Sequence, residues 1–156
     1  LMANLPEAAT PVDTEVAMQA YLTAVPEAVA VMEGVGSGLQ QGREVVEQLA
    51  PILLDSGHGL LLFSEGLDTA RNLIAREGVP VATIFRDIDG ADQNATVIRR
   101  FLDQAAFKAG QSEEGVIMLG RLRAETVSAL LLWGLQDRAA SVALAPVSAV
   151  LKAQQE

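Results

Sequence analysis

Six short apolar runs alternate with longer segments in which apolar residues recur at helical spacing, and this alternation limits the possible folds more than any other feature. The runs are Leu1–Leu5, Ala28–Met32, Gly59–Phe63, Val79–Phe85, Gly115–Leu119 and Ser141–Ala145. Nearly continuous apolar strands are typical of a sheet that is covered on both faces. Because each pair of runs leaves room for one helix, the sequence predicts βαβ units and a parallel sheet of six strands.

The segments between the runs carry the signals of helix starts and ends. We predict helices over Val12–Thr23, Leu39–Leu54, Leu67–Arg76, Ala95–Ala109 and Ala124–Arg138. Thr10 followed by Pro11 is typical of a helix start, Gly78 of a helix end, and Pro51 predicts a kink or a break. No linker divides the chain, so we predict one α/β domain over residues 1–156, either an open doubly wound sheet or part of a barrel.

Composition and charge exclude several classes of function. The net charge is −9 and no basic run is present, so the chain lacks the footprint of a nucleic-acid-binding protein. The absence of cysteine excludes disulfides, thiolate nucleophiles and zinc sites built on cysteine. No apolar run reaches the roughly 18 residues of a membrane-spanning helix, and no secretory signal is visible in this segment.

Ligands of parallel α/β folds bind at the carboxyl ends of the strands, so the residues after each run are the candidates for a site. The candidates are Asn4, Glu33, Ser37, Ser64, Glu65, Asp87 and Arg121, with Arg86 and Asp89 beside them. Gly34, Gly36 and Gly38 match neither a dinucleotide fingerprint nor a phosphate loop, and we interpret them as a turn between strand and helix.

Charge pairing is the expected role of the two arginines at these strand ends. We expect Arg86 and Arg121 to form ion pairs with neighbouring carboxylates. For Arg121 in particular, we expect a pair with at least one of Glu33, Glu65 and Asp87.

Metal chemistry finds little support in the residues. The one histidine, His58, precedes the third run, so we expect an ordinary loop histidine at the end of the sheet opposite the ligands. A zinc site would have to consist of carboxylates alone, which is unlike zinc. Glu33, Glu65, Asp87 and Asp89 could supply oxygen ligands for magnesium or calcium, but they lack the spacing of a calcium loop.

Hydrolytic chemistry is weakly indicated. Ser37 and Ser64 lack the nucleophile elbow and a histidine that could act as a base. Glu33 paired with Glu65 or Asp87 could provide two carboxylates for glycoside hydrolysis. Because carboxylates at strand ends are common in α/β proteins, the pairing alone does not favour this chemistry.

Segments along nearly the whole chain resemble, in order, the divergent polysaccharide deacetylase family. AVPEAVAVMEGVGS, residues 24–37, is similar to the family segment A-V-P-x-A-V-G-V-N-N-H-M-G-S. NLPE resembles the family's H-L-P-M, and GLLLFSEG lies where the family has F-x-x-D-S-R-T. The segment from IMLGRLRAET to APVSAVL resembles the family's closing helix and strand. The resemblance implies an incomplete, distorted (β/α) barrel of the NodB-like type.

The resemblance also implies a function, a metal and a location. It implies metal-dependent removal of acyl groups from polysaccharide, with zinc as the expected metal, in the periplasm or cell envelope. It further implies that about two strands, one with an Asp pair, precede Leu1. The family's histidines, however, fall on Asn4, Gly34 and Arg121, and its D-S-R-T aspartate and arginine fall on Phe63 and Glu65. We therefore expect a catalytically degenerate member that holds no metal.

Three hypotheses of different classes remain open at this point. The chain could bind a glycan or another envelope ligand without deacetylating it. It could be an active hydrolase with a rebuilt site of Glu33, Glu65, Asp87 and Arg121. It could also be a structural or interaction domain whose cleft is filled.

Overall fold

The computed structural model describes residues 1–5, 8–34, 38–40, 42–64 and 69–154. The described strands are β1 (Met2–Ala3), β2 (Ala30–Glu33), β3 (Gly59–Phe63), β4 (Val81–Asp87) and β5 (Ile117–Leu119). The helices are α1 (Pro11–Ala24), α2 (Arg43–Ser56), α3 (Thr69–Arg76), α4 (Ala95–Ala109), α5 (Ala124–Gly134) and α6 (Val147–Ala153). Short 3₁₀ turns cover Gly38–Gln40 and Ala139–Ser141. None of the helices described is long and apolar enough to cross a membrane.

The five strands form one parallel sheet in the order β1-β2-β3-β4-β5, which confirms the predicted α/β class. The register places Met2 beside Met32, Val31 beside Leu60, and Ile84 beside Ile117. The order follows the chain without the reversal that defines the switch point of a doubly wound sheet. A sequential parallel order is instead that of a (β/α) barrel, here with five described strands.

The chain divides into two compact units, and the boundary falls within β4. The first unit comprises Leu1–Thr83 and the C-terminal residues, and the second comprises Ile84–Ala153. In the first unit the inner residues of β1 to β3 pack with α1, α2 and α3, with Leu49, Leu53 and Leu60 fully buried. In the second unit α4 packs against α5, and Trp133 of α5 lies in the core between them.

The predicted starts of α1 and α4 are confirmed by their local hydrogen bonds, whereas α2 begins at Arg43 and not at the predicted Leu39. The hydroxyl of Thr10 accepts from the backbone N–H of Asp13, while the Asp13 carboxylate accepts from the backbone N–H of Thr10. This reciprocal arrangement satisfies donors that a helix start would otherwise leave unpaired. Asn94 caps α4 from one side only, since its side-chain oxygen accepts from the backbone N–H groups of Thr96 and Val97.

The predicted sixth strand, Ser141–Ala145, is wrong. Ser141 ends a 3₁₀ turn, and the next residues have no strand pairing within the described part of the chain. The backbone N–H groups of Ser141 and Val142 donate to carbonyls three residues earlier, so they are used locally. Leu144 is 87% exposed, so its apolar side chain does not contribute to a core.

Two predictions about helices also need correction. Pro51 does not divide α2, which runs without interruption from Arg43 to Ser56. Pro51 and Glu47 are both exposed, so the carbonyl that proline leaves without a donor can be hydrated. The helix α6 was not predicted, because its seven residues follow the false sixth strand.

Candidate functional site

Glu33 ends β2 and is almost completely buried, with 1% of its surface exposed. Its Oε2 accepts a hydrogen bond of 2.6 Å from Gln40 Nε2 and another of 3.3 Å from the backbone N–H of Phe63. Gln40 Nε2 also donates to the carbonyl oxygen of Phe63 at 2.9 Å. We call Glu33, Gln40 and the Phe63 backbone the Glu33 cluster. It ties the end of β2 to the end of β3 through the 3₁₀ turn at Gly38–Gln40.

Gly34 follows Glu33 at a point where a side chain has no room. A Cβ atom at this position would overlap Asn4 Oδ1 and would lie 2.9 Å from the carbonyl oxygen of Ala3. The backbone N–H of Gly34 donates to that same oxygen at 2.8 Å. Asn4 is itself held by its backbone, since its carbonyl accepts from the Tyr21 hydroxyl. The Asn4 side chain therefore fills the space beside Gly34.

Of the remaining candidates in the first unit, Ser64 lies directly after β3 and is exposed. Ser37 and Glu65 lie outside the described residues, so their predicted roles stay predictions.

The second unit contains a group of four polar side chains at the ends of β4 and β5, which we call the Asp89 cluster: Asp87, Asp89, Arg121 and Thr126. Arg121 Nη1 and Nη2 donate to the two carboxylate oxygens of Asp87 at 2.8 and 2.9 Å. Arg121 Nη1 also donates to Asp89 Oδ1 at 2.7 Å. The expected pairing of Arg121 with Asp87 is thus confirmed, and Asp89 is a second partner.

Asp89 is the buried centre of this cluster, because none of its side chain is exposed. Its Oδ2 accepts from the backbone N–H of Arg121 and from the hydroxyl of Thr126, both at 2.7 Å. Thr126 is in the first turn of α5 and is also buried. The Asp89 carboxylate therefore joins the loop after β4 to Arg121, two residues beyond β5, and to the start of α5.

The hydrogen bonds of the Asp89 cluster shift two pKa values in opposite directions. Burial alone would raise the pKa of Asp89, but the bonds from Thr126 and from the backbone and guanidinium of Arg121 outweigh it and lower this pKa below its usual value. The carboxylates of Asp87 and then Asp89 raise the pKa of Arg121. Both groups are consequently charged at neutral pH.

Two further arginines flank this cluster. Arg123 donates from Nη1 to the carbonyl oxygen of Asp89 and forms an ion pair of 2.9 Å with Asp92. Arg86 follows an irregularity in the pairing of β4 with β5 at Phe85. The guanidinium carbon of Arg86 lies 4.5 Å from the centre of the Phe101 ring. The ion pair predicted for Arg86 is absent among the described residues, and a cation–π contact is present instead.

Sequence reasoning missed Gln40, Thr126 and Arg123. Gln40 and Thr126 are uncharged, and neither directly follows a strand. Thr126 did carry a weak signal, since a hydroxyl in the first turn of a helix faces the strand ends in a βα unit. Arg123 lies two residues beyond the predicted candidate Arg121 and does not directly follow a strand, so the sequence pattern does not mark it.

His58 lies directly before β3, at the amino end of the strand, as predicted. It belongs to no helix or strand, as expected of a loop histidine, and it is buried. Neither ring nitrogen has a hydrogen-bond partner within the described part of the chain. The described residues hold no group of three or more His, Asp or Glu side chains that could bind a metal.

The family model for divergent polysaccharide deacetylases matches residues 4–151. The chain belongs to this family. No curated protein matches the chain. The family match allows the two clusters to be compared with the family pattern. By the resemblance described above, the family's histidine positions fall on Asn4, Gly34 and Arg121. Two of these replacements, Asn4 and Gly34, are adjacent in space, and the third is the centre of an ion-pair network.

The donor set of this deacetylase-family chain does not fit the zinc that the resemblance implies. Zinc in proteins takes nitrogen or sulfur ligands together with carboxylates. Gly34 offers no side chain, Asn4 fills the adjacent space, and Arg121 is a cation already bound by Asp87 and Asp89.

Proposed function

We propose that this member of the divergent polysaccharide deacetylase family binds a glycan of the cell envelope without removing acyl groups from it. The observation that carries the proposal is the bonding of Arg121, whose guanidinium is shared between Asp87 and the buried Asp89. A histidine at such a position could give and take protons near neutral pH. Arginine cannot do so, and its single positive charge is shared between two carboxylates.

The Glu33 cluster supports the same conclusion from the first unit. The Glu33 oxygen that Gln40 and Phe63 bind serves to connect β2 with β3. Asn4 fills the space beside Gly34, so that a histidine could not be restored there without moving Asn4 and the Ala3 backbone. On the family scaffold, the residues at these strand ends then serve to hold the structure together.

The charge of the chain favours an uncharged glycan over an acidic one. The net charge is −9, and Arg121 offers no unneutralised positive charge to a carboxylate. Asn4 and Ser64 are exposed at strand ends and can donate and accept hydrogen bonds as sugar hydroxyls and acetamido groups require. We therefore infer N-acetylated or neutral polysaccharide as the ligand class, in the periplasm or at the cell envelope.

The proposal is tested by calorimetric titration of the protein with N-acetylated chitooligosaccharides and with their fully deacetylated forms. Ser64→Ala should weaken binding of the acetylated ligand. Ser56→Ala is the matched control, because Ser56 is an exposed serine of the same unit whose hydroxyl bonds to carbonyls of its own helix. The proposal would be contradicted if neither ligand gave a heat of binding. It would also be contradicted if both variants lost the same affinity for the acetylated ligand.

The burial of Glu33 favours one second candidate, an active hydrolase with a rebuilt site. A buried carboxylate at a strand end is a recognised candidate for a general acid or base. This candidate predicts acetate release from acetylated chitooligosaccharides that Glu33→Gln abolishes and Gln48→Glu leaves unchanged. The binding proposal predicts that neither the parent nor the variants release acetate.

A further inference from the structure

The helix α5 carries apolar residues on nearly every side, with Glu125 as its one charged residue, although only one of its faces is buried. Thr126, Ala129 and Trp133 form the buried face, which packs within the second unit. On the opposite side, residues at spacings of three and four form a second stripe, which we call the α5 face: Ala124, Val127, Ser128, Leu131 and Leu135. A helix with apolar residues on all sides is normally buried on all sides.

The side chains of the α5 face are open to solvent to an unusual degree for leucine. Leu131 is 68% exposed and Leu135 is 86% exposed. Leu122, which precedes the helix, is 96% exposed, and Leu130 and Leu132 flank the stripe with nearly half of their surface exposed. No charged residue belongs to the stripe itself. Together with Val127, these leucines expose roughly 650 Å² of surface, above the few hundred Å² of a typical apolar patch on a monomer.

We propose that the α5 face binds the α5 face of a second copy of this chain, in an antiparallel, twofold-symmetric pair. The exposed area is the first argument, since each partner of a specific interface contributes roughly 800 Å². The α5 face and the exposed leucines beside it, Leu122, Leu130 and Leu132, supply the greater part of that area, and the polar residues around them would supply the remaining rim.

The shape of the face is the second argument, because it is complementary to itself. An open groove of about 530 Å³ has the small residues Ala124 and Ser128 among its lining, together with Leu122 and Leu131. A twofold axis between Ser128 and Leu131 would place Leu131 of each copy over the small residues of the other. Interfaces of this kind use the same patch twice, so they close as dimers and do not extend into fibres.

The proposal is independent of glycan binding, and sedimentation velocity of the full chain over a wide range of concentration tests it. We expect a mass that rises from one chain to two with concentration. Leu131→Lys places a charge at the centre of the interface twice, so it should weaken association by at least about a hundredfold. Ser128→Arg, which fills the groove, should have a similar effect and guards against a folding defect in the first variant.

Val16→Lys is the matched control, because Val16 is a 63% exposed apolar residue on α1, in the other unit. This variant should dimerise as the parent does, and all three variants should keep the far-ultraviolet circular dichroism of the parent. A single-chain mass at every concentration would overturn the proposal, whether or not the face then binds lipid vesicles. Equal association of Leu131→Lys and the parent would overturn it as well, as would equal weakening by Val16→Lys.

Discussion

Replacement of Asp89 by alanine should destabilise the chain far more than replacement of Asp87, although Arg121 binds both carboxylates. Asp89 has no exposed side-chain surface, whereas a quarter of the Asp87 side chain is exposed. Asp89→Ala removes the acceptor of three hydrogen bonds, two from Arg121 and one from the Thr126 hydroxyl. The Thr126 hydroxyl is buried, so it would be left without a partner and without water.

The magnitudes follow from this difference in burial. Removing one partner of a buried charge pair typically costs about 3–5 kcal/mol, and an exposed pair is worth under about 1 kcal/mol. Because 41% of the Arg121 side chain is exposed, its charge stays partly hydrated when Asp89 is lost, so we expect the low end, about 3 kcal/mol. For Asp87→Ala, where both partners are partly exposed, we expect about 1 kcal/mol.

Urea unfolding at neutral pH, followed by tryptophan fluorescence, measures both values. Trp133 is the only tryptophan and packs in the core of the same unit as Asp89, so its emission reports on the relevant part of the chain. A free-energy loss for Asp87→Ala equal to that for Asp89→Ala would refute the argument from burial. So would a loss below about 1 kcal/mol for Asp89→Ala.

Three further predictions concern pH, His58 and Gly34. Because folding lowers the pKa of Asp89, its contribution to stability is present above about pH 4 and is lost as the pH falls through the folded pKa. Urea unfolding at a series of pH values should therefore show the free energies of unfolding of the parent and of Asp89→Asn converging in acid. His58→Leu should leave the thermal midpoint unchanged or raise it, since both buried ring nitrogens lack partners among the described residues. A loss above about 1 kcal/mol in the free energy of unfolding would contradict this. Gly34→Ala should cost about 2 kcal/mol in the free energy of unfolding, and adding Asn4→Gly should recover only part of this loss, because the Ala3 carbonyl stays 2.9 Å from the new Cβ. Full recovery in the double variant would show that only the asparagine opposes a side chain at this position.

The sequence predicts the five parallel strands well because each is an apolar run whose character is local. It fails for Ser141–Ala145, where the apolar pattern is equally clear. A run becomes a strand only when a neighbouring strand offers backbone partners, and a pattern within the run carries no information about that neighbour. The same limit applies to Pro51, whose effect depends on whether the carbonyl of Glu47 faces water or the core.

Charge predicted the ion pair of Arg121 but not the contact of Arg86, and burial and register decide the rest of the candidate site. Opposite charges at strand ends were enough to predict that Arg121 pairs with at least one of Glu33, Glu65 and Asp87, and the structure shows that the partner is Asp87. The burial of Asp89 was not predictable, because it depends on the irregular pairing of β4 with β5 at Phe85 and on the first turn of α5. Gln40 was missed because an uncharged amide in a turn has no signature until the chain brings Glu33 beside it.

The central claim is that the strand-end groups of this family member no longer support removal of acyl groups. The most direct test is acetate release from acetylated chitooligosaccharides by the protein with its natural flanking sequence, measured with zinc supplied and again with a chelator. The account predicts no acetate above the enzyme-free blank in either condition. Sustained acetate release that requires zinc and disappears with the chelator would contradict it.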